Sequence, residues 1–204
     1  MKITFHMPKA DPDKQAKLLL QQWVKLKEPK SLPKAILLSV PFMILGGAVT
    51  IMITRIFSTV SLEDYGLQGG TITFTFNILY LVSIFLLLLL HELIHLILIP
   101  NFVKSASTGL GIQLFGGFVF SEEIISRLRF IIISLAPFLV ISIILPIILG
   151  AIGWLNPGIV CLVFLNALGS SVDLLNVTLI LYQVPKKAKI INNGMDTFWK
   201  VVDQ

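Results

Sequence analysis

Two histidines four residues apart with a glutamate beside the first, His91-Glu92-Leu93-Ile94-His95, are the side chains in this sequence best placed to do chemistry. On a helix, positions i and i+4 share one face, so both imidazoles can reach a single ion. The glutamate can then act as general base toward a water molecule. Zinc takes such a set, with a third protein ligand and one position left for water. The chain has three histidines in all, two of them in this motif. The residue types therefore point to metal-assisted hydrolysis, with His91 and His95 as ligands, Glu92 as base and one Zn2+ per chain.

A third ligand must come from elsewhere in the chain. Of eleven acidic residues, only Glu92 and Asp173 lie inside apolar runs, which makes Asp173 the leading candidate. It belongs to a polar stripe, Asn166, Gly169, Ser170, Asp173 and Asn176, spaced by three and four residues along an otherwise aliphatic segment. Small and polar residues on one face also let membrane helices approach closely, so part of the stripe reads equally well as a packing seam. Glu122 or Glu123, from a loop, is the alternative ligand, and the spacing leaves that choice open.

The elements that must hold these groups are greasy. Hydrophobic residues make up 55% of the 204, charged residues only 13%, and mean hydropathy is +0.89. Such a composition implies an all-α integral membrane protein rather than a soluble domain. Four runs, 35–54, 71–100, 130–154 and 158–184, each approach or exceed the ~20 residues a membrane-crossing helix needs. Ionisable groups in such segments are expensive to insert and mark function by default. Eight of the sixteen Lys and Arg precede Ala35 and four follow Val184. This excess on the flanks implies a multi-pass cell-membrane protein with both termini and the 101–129 loop in the cytosol. The net charge of +5 is thereby assigned to topology and lipid headgroups, not nucleic acid. Cys161 is the sole cysteine, which excludes an internal disulfide or a cysteine metal site.

The expected organisation is a cytosolic segment over 1–34, a four-helix transmembrane domain over 35–184 and a cytosolic tail over 185–204. Asp11-Pro12 reads as an N-cap with proline at the first helical position. It opens an amphipathic helix over 11–27 with Ala16, Leu19, Leu20, Trp23 and Val24 on one face. That helix lies either on the lipid interface or on the protein's own cytosolic loop. Thr108–Phe120 reads as a small β-hairpin in the cytosolic loop, two strands around Gly116-Gly117, whose edge can take an extended peptide by strand addition. Pro137, in Ser134-Leu-Ala-Pro-Phe138, interrupts the third helix and frees backbone carbonyls for packing or for a polar cavity.

The HELIH motif at the end of a span, the Ser-Leu-Ala-Pro-Phe element and an aspartate in the last span together resemble the putative zincin peptidase family of bacterial membrane proteins. That family is itself similar in pattern to the site-2 intramembrane proteases. The resemblance runs from about Thr71 to the C-terminus. It implies zinc held by His91, His95 and Asp173, Glu92 as base, and Asn166 in contact with substrate. The expected function is zinc-dependent hydrolysis of peptide bonds near the cytosolic membrane surface, in a membrane-protein or peptide substrate. Two other classes fit the residues: a transporter or metal-handling protein using the His/Glu/Asp cluster for ions, and a catalytically silent protein that binds a membrane partner.

Overall fold

The computed structural model describes residues 2–4, 6, 8–61, 63–68, 71, 72, 77–113 and 116–201. Residues 73–76 of the expected second span, 114 and 115 of the expected hairpin and 202–204 of the expected tail lie outside the described residues. The chain runs β1 (Lys2–Thr4), α1 (Pro12–Leu20), β2 (Val24–Lys25), α2 (Leu32–Phe57), a 3-10 turn, β3 (Leu67–Gln68), β4 (Thr71–Ile72) and α3 (Ile78–Leu98). There follow β5 (Thr108–Gln113), β6 (Gly116–Ser121), β7 (Ile125–Ser126) and α4 (Arg127–Pro137). A π-helical turn (Phe138–Ile144) leads into α5 (Leu145–Ala151), then α6 (Pro157–Gly169), α7 (Ser171–Gln183), β8 (Ala188–Asn193) and β9 (Asp196–Val201). Four helical stretches, Leu32–Phe57, Ile78–Leu98, Arg127–Ala151 and Pro157–Gln183, are long and apolar enough to cross a membrane. The second begins seven residues later than the run of apolar residues suggests, because Thr71–Ile72 pairs with Leu67–Gln68 and Asn77 caps the helix through Leu79 N–H.

These helices are packed inside out relative to a soluble bundle. In α2 the buried residues are Ser39, Gly46, Gly47, Thr50 and Thr54, while Leu37 and Ile44 are about 70% exposed (71% and 69%). Small residues let the backbones close up where lipid-like surroundings give no hydrophobic gain. A Cβ on Gly46 would sit 3.3 Å from the Ala167 carbonyl, and one on Gly47 would sit 3.1 Å from the Phe164 ring. Ser39 and Ser171 hydroxyls meet at 3.1 Å across the same seam. Gly169, expected in that seam, instead faces outward with nothing near it; Ser171 takes its place.

Both termini and the 101–129 loop meet at one end of the bundle, in two sheets. One has the order β1-β5-β6, with β1 parallel to β5; the other has the order β2-β9-β8-β7. The segment after residue 184 is therefore a hairpin and not a tail, turning at Gly194 (φ +58°). An Asn-Gly pair between two alternating runs is the sequence signature of that turn. Leu26, Ile180, Val184, Ala188 and Ile190 form the core joining this sheet to α7. At the opposite end, the Tyr65 hydroxyl donates to the Pro157 carbonyl.

Helix α1 is capped by Asp11 as expected, but it ends at Leu20. It docks on the second sheet through Leu18, which with Trp23 packs against Ile191 and Phe198. The expected apolar face, Ala16, Leu19, Leu20 and Val24, remains exposed and only Trp23 of that set is buried. Asp11 and Asn193 exchange two hydrogen bonds, and Lys14 pairs with Glu122 at 2.7 Å.

Candidate metal centre

Three long segments converge on the HELIH helix. His91 is buried in α3, and its Nδ1 lies 2.9 Å from Asn166 Oδ1 on α6. Nδ1 of His95 lies 2.8 Å from the Ile133 carbonyl on α4. That carbonyl is available because the residue four positions on is Pro137, which has no N–H to give it. The proline that breaks the ladder thus presents an acceptor to a histidine.

These partners fix the tautomers. A backbone carbonyl only accepts, so His95 Nδ1 carries the proton. The Asn166 amide nitrogen donates to the Pro137 carbonyl (3.2 Å) and to Ser142 Oγ (2.9 Å), which turns Oδ1 toward His91 and makes its Nδ1 a donor too. The Ser142 hydroxyl in turn donates to the Val163 carbonyl at 2.9 Å. Both Nε2 atoms are left as bare lone pairs, and they face each other at 3.2 Å. Asp173 Oδ2 completes the triangle, 3.3 Å from His91 Nε2 and 3.5 Å from His95 Nε2. Asp173 stands in the first turn of α7, where the N-terminal helix dipole favours an anion.

Three electron pairs aimed at one point repel unless a cation sits between them. Zinc bound tetrahedrally at about 2.0–2.1 Å from N and O ligands requires ligand atoms about 3.3 Å apart, close to all three separations seen. Among the described residues, His91, His95 and Asp173 are the group of potential ligands that comes together in this way. The donor set and its spacing fit a zinc ion. The loop carboxylates are committed elsewhere: Glu122 to Lys14 and the Gly194 amide, and Glu123 to the hydroxyls of Ser105 and Ser107 at 2.6 and 2.7 Å. Those two hydroxyls hold the Glu123 carboxyl below the usual carboxylate range.

Glu92 lies on the hairpin side of the cluster, beside the Val119 backbone N–H of β6. The approach is close: a Cβ on Gly117 would be 2.8 Å from Glu92 Cγ. Gly116-Gly117, expected at the hairpin turn, therefore lies inside β6, because the strand must pass against the glutamate. Gly109 and Gly111 play a different part. They face Phe120 and Phe118 across the ladder, and each ring lies over its glycine. Among the described residues β6 pairs with β5 alone, and it borders a cavity of about 450 Å³ that also reaches His95 and Asp173.

Asn166, expected to contact substrate, lies behind His91. It is 3% exposed and every polar atom of its side chain is engaged inside the fold. Its hydrogen bond to His91 was not foreseen, nor was the tie from Ile133 to His95. The second could be found from sequence by asking which carbonyl Pro137 releases.

Arg127 and Arg129 hold the helix ends around this site, donating to the Leu181 and Leu98 carbonyls. Lys27 and Gln183 exchange two hydrogen bonds that pin the β2–α2 connection to the end of α7. No curated protein and no solved structure matches the chain significantly. Residues 84–189, just over half of the chain and holding every side chain of the cluster and its orienting partners, match the family described as putative zincin peptidase. With its HELIH helix, its convergent aspartate and this match, the chain belongs to the putative zincin peptidase family.

Proposed function

We propose that this protein is a zinc-dependent intramembrane metalloprotease that hydrolyses peptide bonds close to the cytosolic end of its spans. The observation that carries the reading is the triangle of His91, His95 and Asp173, spaced as a tetrahedral zinc site requires, with Glu92 beside it. Four apolar helices around the cluster support the membrane setting. The three- and four-stranded sheets and both termini gather at the end of the bundle nearest the site, and the flanking lysines support a cytosolic setting for that end.

Zinc held by these three groups supplies Lewis acidity, lowering the pKa of water and polarising a carbonyl. The remaining steps belong to the chain. Glu92 takes a proton from the attacking water as its oxygen bonds to the scissile carbonyl carbon. When the C–N bond breaks, Glu92 returns that proton to the leaving nitrogen, and the products are a carboxylate and an amine. Asn166 and the Ile133 carbonyl keep both imidazoles in the ligating tautomer throughout. A helical peptide bond is shielded by its own hydrogen bonds, so the substrate must be extended. To take it as an added strand, the edge of β6 must exchange the Val119 N–H contact with Glu92 and the Asn192 hydrogen bond to the Ser121 carbonyl for contacts with substrate.

The decisive experiment compares zinc content and peptide hydrolysis in purified wild type, His91→Ala and Glu92→Gln. His91→Ala should lose zinc. Glu92→Gln should keep stoichiometric zinc and lose turnover. Full activity in Glu92→Gln would reject the mechanism. Ion flux in liposomes without hydrolysis would favour transport, and a cellular function intact in Glu92→Gln would favour a silent partner-binding role.

A further inference from the structure

We infer that Asn176, with Ser134 across from it, holds the main chain of the substrate beside the bond to be cleaved; this rests on the peptidase reading above. Both residues line the cavity that contains His95 and Asp173. They come from helices packed against each other, Ser134 from α4 and Asn176 from α7. Ser134 is 8% exposed and Asn176 half-buried, yet neither side chain makes a hydrogen bond among the described residues. An amide and a hydroxyl with no protein partner at a cavity wall keep their hydrogen-bonding capacity for a ligand.

The spacing says which part of a substrate they meet. Asn176 follows Asp173 by three residues, so it shares that face of α7 and stands about 4.5 Å further along it. An extended peptide advances about 3.3 Å per residue. A substrate with one carbonyl at the cluster therefore presents a peptide unit to Asn176 one to two residues away. The asparagine amide offers a donor and an acceptor together, matching the C=O and N–H of an extended chain. The cavity is also lined by Phe118, Val119, Phe120 and Ser121 of β6, the edge strand of its sheet. An extended substrate there lies between the Asn176 and Ser134 side chains and β6, and the partly exposed Phe118, Phe130, Ile133 and Val172 of the cavity lining receive its side chains. The ligand class is an extended peptide with apolar residues next to the scissile bond, passing from the cluster toward the β8–β9 sheet.

The test uses two hydroxamates on the zinc-loaded full-length protein in lipid nanodiscs. Acetohydroxamate meets only the ion; N-acetyl-leucyl-leucine hydroxamate adds two peptide units. Wild type should bind the second more tightly. Asn176→Leu and Ser134→Ala should each shrink that difference about tenfold, with acetohydroxamate affinity and zinc stoichiometry unchanged. If Asn176→Leu loses zinc through misfolding, Asn176→Ala gives the same reading. A preference for the dipeptide compound that survives in these variants, or that is missing in wild type, overturns the assignment. Failure of wild type to bind zinc or acetohydroxamate would instead remove the peptidase reading beneath it.

Discussion

Replacing Pro137 with alanine separates the stability of the third helix from the orientation of its metal site. Alanine restores an N–H at position 137, and in a helix that N–H seeks the carbonyl of residue 133. The same oxygen now accepts from His95 Nδ1 at 2.8 Å. Two effects of opposite sign follow. Proline in a helix interior is disfavoured by about 3 kcal/mol relative to alanine. The π-helical turn over Phe138–Ile144 already absorbs part of that strain, so the gain in the metal-free protein is smaller. Against it, losing the partner of a ligating histidine typically lowers metal affinity about 10- to 100-fold, or about 1.4–2.7 kcal/mol. The oxygen has two lone pairs and can be shared, which places the loss near tenfold. Chelator competition at one fixed pH measures zinc affinity, and thermal unfolding of the metal-free protein measures stability. The expected outcome is weaker zinc binding in a protein at least as stable as wild type. Affinity within twofold of wild type would refute the role given to the Ile133 carbonyl. So would a fall in metal-free stability large enough to account for the lost zinc.

Asn166→Ala removes the corresponding partner of His91 and should weaken zinc binding by 10-fold or more, without the gain in stability. Asp173→Ala should reduce zinc affinity at least 100-fold, whereas Glu123→Gln should leave it unchanged; the opposite result would make the loop the source of the third ligand. Gly117→Ala forces a methyl group to 2.8 Å from Glu92 Cγ, so hydrolysis should fall 10- to 100-fold with zinc retained. Two carboxyls outside the spans should act oppositely on stability as pH changes. Burial raises the Glu28 carboxyl above its usual range despite hydrogen bonds from Thr197. Its contribution is therefore present below its unfolded pKa and lost as pH rises through the folded value. Glu123 is lowered by its two serine hydroxyls, so its contribution is present above its unfolded pKa and lost as pH falls through the folded value. Unfolding midpoints of Glu28→Gln and Glu123→Gln across that range should each lack the corresponding dependence.

Much of the fold was legible because membrane-length apolar runs and an i, i+4 histidine pair are local patterns. The four membrane-length helices were placed to within a few residues, except where Asn77 sets a late start for α3. The hairpin was found, but its glycines were misplaced. Gly-Gly is an ordinary turn signal, and only the packing of β6 on Glu92 shows that Gly117 is needed inside a strand. The C-terminal hairpin was missed although Asn193-Gly194 announces it, because lysines beyond a last span suggest a basic tail. Helix α1 was recognised from its cap, while the side it buries depended on Ile191 and Phe198, far away in sequence.

The sequence alone determined the chemistry on offer: two imidazoles on one helical face, a glutamate beside them and a single further carboxylate in an apolar run. Those facts need only helical periodicity and the cost of ionisable groups away from water. Which oxygen faces which nitrogen was decided by tertiary structure. Asn166 became a support for His91 because α6 packs where its amide can also reach the Pro137 carbonyl. The Ile133 carbonyl turned to His95 because α3 lies across the gap that Pro137 opens. Hydrogen-bond partners across helices depend on distances of a few tenths of an ångström, and no local pattern of residues encodes them.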